Sequence, residues 1–241
     1  KDSELEKHIR ADWYGLHDDY VYFPNTDSGR SQEIPFRSIF LELSGCKTLE
    51  ECFKKYLQPE VLSVENGLRD ENGIKQLTHK GLRFKSLPRI MACTLKRFHM
   101  DYRFMRRLKL HDKVYFPPTI DLSPFVGTTD SDKPQEGSLK YDLYALLIHR
   151  GSATGGHYFA YIKNVEDGKW YCFDDNHVTE IAQADVEKFM EHPDVTLAKE
   201  KEAQRKRKEH IAATKRAMGI TQGDNGVPPP PGGGGRLFIF G

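Results

Sequence analysis

Along most of this chain apolar side chains recur at every second position, the spacing of a strand with one buried face. IPFRSIFLEL (34–43), KSLPRIMACTLKRFHMD (85–101), RLKLHDKVYFP (107–117) and KYDLYALLIHR (140–150) all read as strands, the last being the most apolar. Pro117 and Pro118 close the third, because proline cannot donate to a sheet ladder. HYFAYIKN (157–164) and KWYCFDD (169–175) flank VEDG, whose Asp-Gly pair signals a hairpin turn. Residues 1–34 are polar and rich in turn formers; WYGLHDDYVYF and NTDSGRSQE within them suggest short strands joined by turns. Residues 63–80 read as turns, and 123–138 as a long exposed loop.

Helical spacing shows in three places. In KTLEECFKKYL (47–57), Leu49, Cys52, Phe53 and Leu57 share one face, Thr48 is a candidate N-cap with Glu51 as its capping-box partner, and Pro59 ends the helix. QADVEKFMEH (183–192) is a short helix. The third is the strong helix former 199–216, with eight basic and three acidic residues. VPPPPGGGGR (227–236) is a flexible connector, and LFIF (237–240) is an apolar strand expected to return to the main sheet. The basic helix and the connector then form an insertion between strands. A solvated face is the plainer reading of its charge, and an acidic partner surface or a nuclear signal the sharper one. The fold class expected is α+β, an antiparallel sheet with a few helices.

Composition narrows the function classes. A net charge of +1 over 241 residues points to neither nucleic acid nor a membrane surface, and neither is expected as a partner. No apolar run approaches the roughly 20 residues of a bilayer span. Cys46, Cys52, Cys93 and Cys172 contain no C-x-x-C pair, so neither a zinc knuckle nor a redox motif is expected. Such a sparse, irregular set suits reduced thiols inside a cell, in cytoplasm or nucleus.

The candidate chemistry lies in GGHYFAYIK (155–163). Histidine titrates nearest neutrality and is the usual general base. Gly155 and Gly156 before His157 suit a mobile loop that lets a slender ligand pass. Asp174 lies 17 positions on, across the Asp167-Gly168 turn, and is expected opposite His157. There its carboxylate would accept the imidazole Nδ1–H and leave Nε2 free as the base. An ordinary hairpin His–Asp pair without catalytic purpose is the plainer alternative. Asp175 and His177 share that hairpin end as solvated polar residues. Trp170 and Phe173 read as core, and Tyr158 and Tyr161 as core or cleft lining.

GGHYFAYIKNVEDGKWYCFDDNHVTEI (155–181) resembles the histidine box of the ubiquitin-specific proteases, papain-like cysteine deubiquitinases. KGLRFKSLPRIMACTLKRFHMDYRFMRRLKLHDKVYFPPTIDLSPF (80–125) is similar to that family's palm strands, marked by an L-x-R-F segment, here Leu95 to Phe98. GCKTLEECFKKYLQPEVL (45–62) looks like the helix at the base of its fingers. The resemblance implies His157 as catalytic base, Asp174 as its orienting acid and Asp175 as an assisting polar residue. It implies substrate contact for Gly155, Gly156, Tyr158, Arg97 and Phe98, with Tyr158 stacking over the ubiquitin Gly-Gly tail. It divides the chain into a fingers region (1–80), a palm (81–192), the basic and Pro/Gly insertion (193–235) and a closing palm strand (236–241).

A papain-like mechanism also needs a cysteine nucleophile, which the family carries in an upstream N-x-C box. None of the four cysteines here has that setting, so this chain is expected to hold the palm and fingers without the thumb, and to be inactive alone. Where many relatives bind zinc at the fingertips through two C-x-x-C pairs, GLRDENG (67–73) replaces the second, so no metal and no cofactor is expected. The loops 124–139 and 149–156 are expected to roof the channel for the ubiquitin tail. Ubiquitin and ubiquitinated proteins are the partners implied. A catalytically inactive ubiquitin-binding module and an unrelated β protein are the rival readings.

Overall fold

The computed structural model describes residues 3–126 and 139–190. The expected basic helix 199–216, connector 227–236 and strand 237–240, and all but the start of the loop 123–138, lie outside them. The chain opens with a helix where turns and short strands were expected. In α1 (Glu4–Trp13) the Ser3 hydroxyl accepts a hydrogen bond from the Glu6 N–H at 3.1 Å. No residue of α1 is buried, although Leu5, Ile9 and Trp13 recur at helical spacing; that pattern and the Ser-x-x-Glu cap were its local signals.

β1 (Gly15–Phe23) and β2 (Ser28–Phe36) form a long hairpin. β1 also pairs with β5 (Thr78–Ser86), which pairs with β4 (Glu60–Leu62), giving an antiparallel sheet in the order β2-β1-β5-β4. Between β4 and β5 the chain turns around Asp70, whose carboxylate accepts from the N–H groups of Asn72 and Ile74 and from Gln76 Nε2, each at 2.9 Å.

The stretch 34–43 is not one strand. It breaks after Phe36, and β3 (Ser38–Leu41) pairs in parallel with β6 (Ala92–Leu95), correcting the expectation of antiparallel pairing throughout. The connection between them runs through a helix and two strands, long enough for a parallel crossover. That helix is α2 (Leu49–Leu57), and it matches expectation. Thr48 Oγ1 accepts from the Glu51 N–H at 3.2 Å, and the Glu51 carboxylate accepts from the N–H groups of Thr48 and Lys47. Leu49, Cys52 and Phe53 are its buried face.

The stretch 85–101 also divides. β5 ends at Ser86, ahead of Pro88; β6 follows, and then β7 (Phe98–Asp101) folds back on β8 (Arg106–Lys109). Of 107–117 only the start is a strand. The rest is held by Leu49 N–H on Tyr115 O (2.8 Å) and Tyr115 N–H on Lys47 O (2.9 Å), with Val114 and Phe116 buried.

β9 (Thr119–Asp121) pairs with β10 (Lys140–Asp142). β11 (Ala145–Ser152), β12 (Gly155–Lys163), β13 (Trp170–Asp174) and β14 (His177–Ile181) follow as an antiparallel sheet in chain order, and α3 (Gln183–Glu187) closes the described part. β14 extends the expected hairpin by a strand. Leu146, Ile148, Phe159 and Trp170 lay one face of this sheet on a core shared with Ile39, Leu41, Phe53, Phe84, Leu95 and Phe116. The architecture is α+β, as expected.

Candidate active site

The site stands at the end of the β11–β14 sheet, where its core-facing side runs out into solvent. β11 and β12 stay paired to their tips, with Gly151 opposite Gly156 and Ser152 opposite Gly155. The expected loop 149–156 is therefore a two-residue hairpin over Ala153 and Thr154. Of the two glycines before His157, Gly156 serves a close approach, while a side chain at Gly155 would meet open space. A Cβ on Gly156 would lie 2.3 Å from His149 Nε2 and 2.4 Å from Arg150 O. Gly151 has φ +136°, which L side chains avoid.

His157 follows, opposite Arg150 on β11. The β12–β13 ladder ends at Ala160 opposite Phe173, so continuing its register sets Asp174 opposite Phe159. Asp174 is thus a diagonal neighbour of His157 on the same face, not the opposite residue expected; such a pair remains within side-chain reach. The Asp174 carboxylate is hydrogen-bonded to His157 Nε2. The ring is turned the other way from the sequence reading: Nε2 meets the carboxylate, and Nδ1 is the nitrogen left open. In the tautomer that a base requires, Nδ1 has the lone pair and Nε2–H donates to Asp174.

Asp175 forms the tip of the β13–β14 turn with φ +51°, a backbone region that aspartate tolerates better than most residues. The hydrogen bond to Asp174 is the main cause raising the His157 pKa above its usual 6.5. The Asp174 and Asp175 charges add to that effect, while desolvation and the Arg150 charge oppose it. Both partners are half exposed, with 44% and 40% of their side-chain surface open. The imidazole is therefore reachable from outside.

Tyr158 points to the opposite face from His157, as adjacent strand residues must. Its ring lies 4.6 Å from that of buried His149, against which Phe98 packs edge-on at 5.4 Å. Phe98, His149, Tyr158, Gly155 and Gly156 line a cavity of about 590 Å³ between the β7–β8 hairpin and the β11–β12 tip. Phe98 and Tyr158 are 43% and 49% exposed, so both rings open onto this cavity.

Arg97 departs from its expected role. It is 1% exposed, and its Nη1 donates to Leu110 O (3.1 Å) and Asp112 O (2.7 Å), fixing the chain after β8. Burial lowers its pKa to about 10. A side chain so enclosed braces the scaffold and gives no surface to a substrate.

Sequence reasoning missed Arg150, His149 and Lys109. Arg150 was legible in hindsight as the residue facing His157 across a hairpin. Lys109 was not: the alternation of RLKLH points Leu108 and Leu110 inward, yet Lys109 is the buried one. His157, Asp174 and Asp175 also bring three potential metal-ligand atoms within 4.8 Å of one another. The direct His157–Asp174 hydrogen bond accounts for two of the three without an ion.

All four cysteines are free thiols. Burial pushes the Cys52 pKa up to about 12, and raises those of Cys93 and Cys172 as well. These shifts are opposite to the activation of a nucleophilic thiol.

The family model for ubiquitin carboxyl-terminal hydrolase matches residues 6–205. Ubiquitin carboxyl-terminal hydrolase 47 of Drosophila melanogaster is 31% identical over 74% of this chain and 16% of its own length. Ubiquitin carboxyl-terminal hydrolase 15 of Schizosaccharomyces pombe is 36% identical, again over 74% of this chain and 16% of its own length. The chain thus spans about a sixth of these relatives. Among solved structures, the SAGA Ubp8/Sgf11/Sus1/Sgf73 DUB module bound to ubiquitin aldehyde superposes with a TM-score of 0.65 at 25% identity, covering 76% of this chain and 40% of that one. A second form of that module, with a substituted Ubp8 and a shortened Sgf11, gives the same TM-score at 23% identity and covers 80% of this chain and 44% of that one.

Proposed function

The chain belongs to the ubiquitin carboxyl-terminal hydrolase family, and from that premise we propose that it supplies the base-and-acid half of a cysteine deubiquitinase site. The observation that carries the reading is the His157–Asp174 pair, with Nε2 on the carboxylate and Nδ1 open. In the complete enzyme a cysteine from outside this chain transfers its proton to Nδ1. The thiolate attacks the carbonyl of ubiquitin's last glycine and forms an acyl-enzyme thioester. His157 then protonates the departing amine and, as a base again, activates water for hydrolysis. Asp174 holds the tautomer and stabilises the imidazolium; Asp175 adds negative charge beside it. No metal or organic cofactor enters these steps.

The depressed acidity of Cys52, Cys93 and Cys172 supports placing the nucleophile elsewhere. The ubiquitin tail is proposed to run past Gly155 and Gly156, with Phe98 and Tyr158 as its apolar walls; ubiquitin and ubiquitinated proteins are the proposed partners. The division into fingers (1–80) and palm (81–192) is kept as a proposal, with β5 crossing the boundary. Free thiols throughout fit the proposed cytoplasmic or nuclear setting. No helix among the described residues is long and apolar enough to cross a membrane.

The test is a fluorogenic ubiquitin C-terminal amide, assayed with this chain alone and with the full-length natural protein. The expected result is silence alone, turnover by the full-length protein, and its loss in His157→Ala. Turnover by the chain alone would overturn the shared-site reading. A silent full-length protein that still binds ubiquitin would replace it with an inactive binding module.

A further inference from the structure

β11 is the edge strand of its sheet, and its outer side faces the β7–β8 hairpin. Successive carbonyls of a strand point to opposite sides. Those of His149 and Gly151 look outward, and that of Arg150 between them faces β12. Lys109 on β8, 9% exposed, donates from Nζ to His149 O at 2.9 Å and to Gly151 O at 3.1 Å. These two carbonyls bracket Arg150, the register partner of His157.

We propose that Lys109 is a positioning residue for the His157 base, clamping the β11 edge on either side of Arg150 and so fixing where β12 presents the imidazole. The proposal rests on the reading of His157 as the general base. Three further observations fit it. Phe98, the register partner of Lys109, packs on the His149 ring, so the hairpin grips β11 by side chain and backbone together. The His149 ring in turn fills the space that Gly156 leaves open, one residue before His157. A buried ammonium is also a costly way to fill space, since burial and the neighbouring Arg97 charge both disfavour its charged form. A neutral side chain would serve packing alone; two carbonyl dipoles on an edge strand give the charge a specific use.

The experiment uses the full-length natural protein and two readouts. One is the rate of ubiquitin C-terminal amide hydrolysis per titrated active site; the other is hydrogen exchange at the β11–β12 amides around Arg150 and His157. Lys109→Met is expected to lower kcat roughly tenfold to a hundredfold with KM within about twofold. Exchange at those amides rises at least about tenfold, while the β1–β2 hairpin is unchanged. Lys109→Arg, which keeps charge and donors, is expected to restore most of both. Should Lys109→Met not fold, Lys109→Gln decides by the same readouts. Unchanged exchange and unchanged kcat overturn the proposal, as does a loss accounted for by the unfolded fraction alone. If the wild-type full-length protein hydrolyses nothing, the deubiquitinase reading fails on its own, and the exchange comparison still decides whether Lys109 fixes the hairpin.

Discussion

In the β2-β1-β5-β4 sheet every residue of β2 except Phe36 is exposed, and β1 is buried mainly at its two ends. In the β11–β14 sheet, Leu146, Ile148, Phe159 and Trp170 are buried along one face, and the catalytic candidates stand where that face ends. Both sheets are antiparallel and built largely from hairpins, so the ladders do not distinguish them. The difference lies in what backs them. A sheet seated on a packed core transmits little displacement, because close-packed side chains resist movement. The β2-β1-β5-β4 sheet has such support only at one end, through Phe36 and Phe84, and offers area over the rest. The pair that must be held to a fraction of an ångström sits on the first kind.

Substitutions on the two sheets put that contrast to the test. On the proposed deubiquitinase reading, the largest effect is expected from His157→Ala in the full-length natural protein: a loss of about 10³-fold or more in kcat/KM. Thermal stability should stay nearly constant, because the residue is half exposed. An equal loss from Tyr22→Ala on the other sheet would erase the distinction.

Next is Leu146→Ala, which empties a fully buried position and should cost about 2–5 kcal/mol in chemical denaturation. Ile34→Ala on β2, where the side chain is 39% exposed, should cost no more than about 0.5 kcal/mol. Comparable costs for the two would mean the long hairpin is packed against something in the full protein.

Asp174→Asn should lower the His157 pKa towards 6.5, measurable by NMR titration of the imidazole. Because the folded value lies above the unfolded one, the pair's contribution to stability is present in full below about pH 6.5 and fades as pH rises through the folded pKa. Wild type and variant should therefore converge in alkaline buffer. A difference that grows with pH would contradict this pairing. The smallest effect is Thr48→Ala, which removes the α2 cap and should cost about 1 kcal/mol without changing catalysis.

Much of this was legible in advance because it is local. α2 was readable since apolar spacing, cap and stop signal agree within a few turns of chain. The β12–β13 hairpin was readable from Asp167-Gly168 between two alternating runs, and with it the association of His157 and Asp174. α1 escaped although Leu5, Ile9 and Trp13 stand four positions apart, because the many polar residues between them read as turns. The breaks in 34–43 and 85–101 escaped because a run of apolar residues does not reveal where the chain changes partners.

The α+β class, the capped helix and the identity of the His–Asp pair are written in the order of residues, since each depends on groups joined by one turn or one hairpin. Packing in three dimensions set which imidazole nitrogen meets the carboxylate, the parallel pairing of β3 with β6, the burial of Arg97, and the Lys109 clamp on β11. The last three join residues 13 to 54 positions apart, as in Arg97 on Leu110, Lys109 on His149 and Ser38 beside Ala92. No periodicity records them, because they depend on how whole elements pack and not on the order of side chains within any one of them.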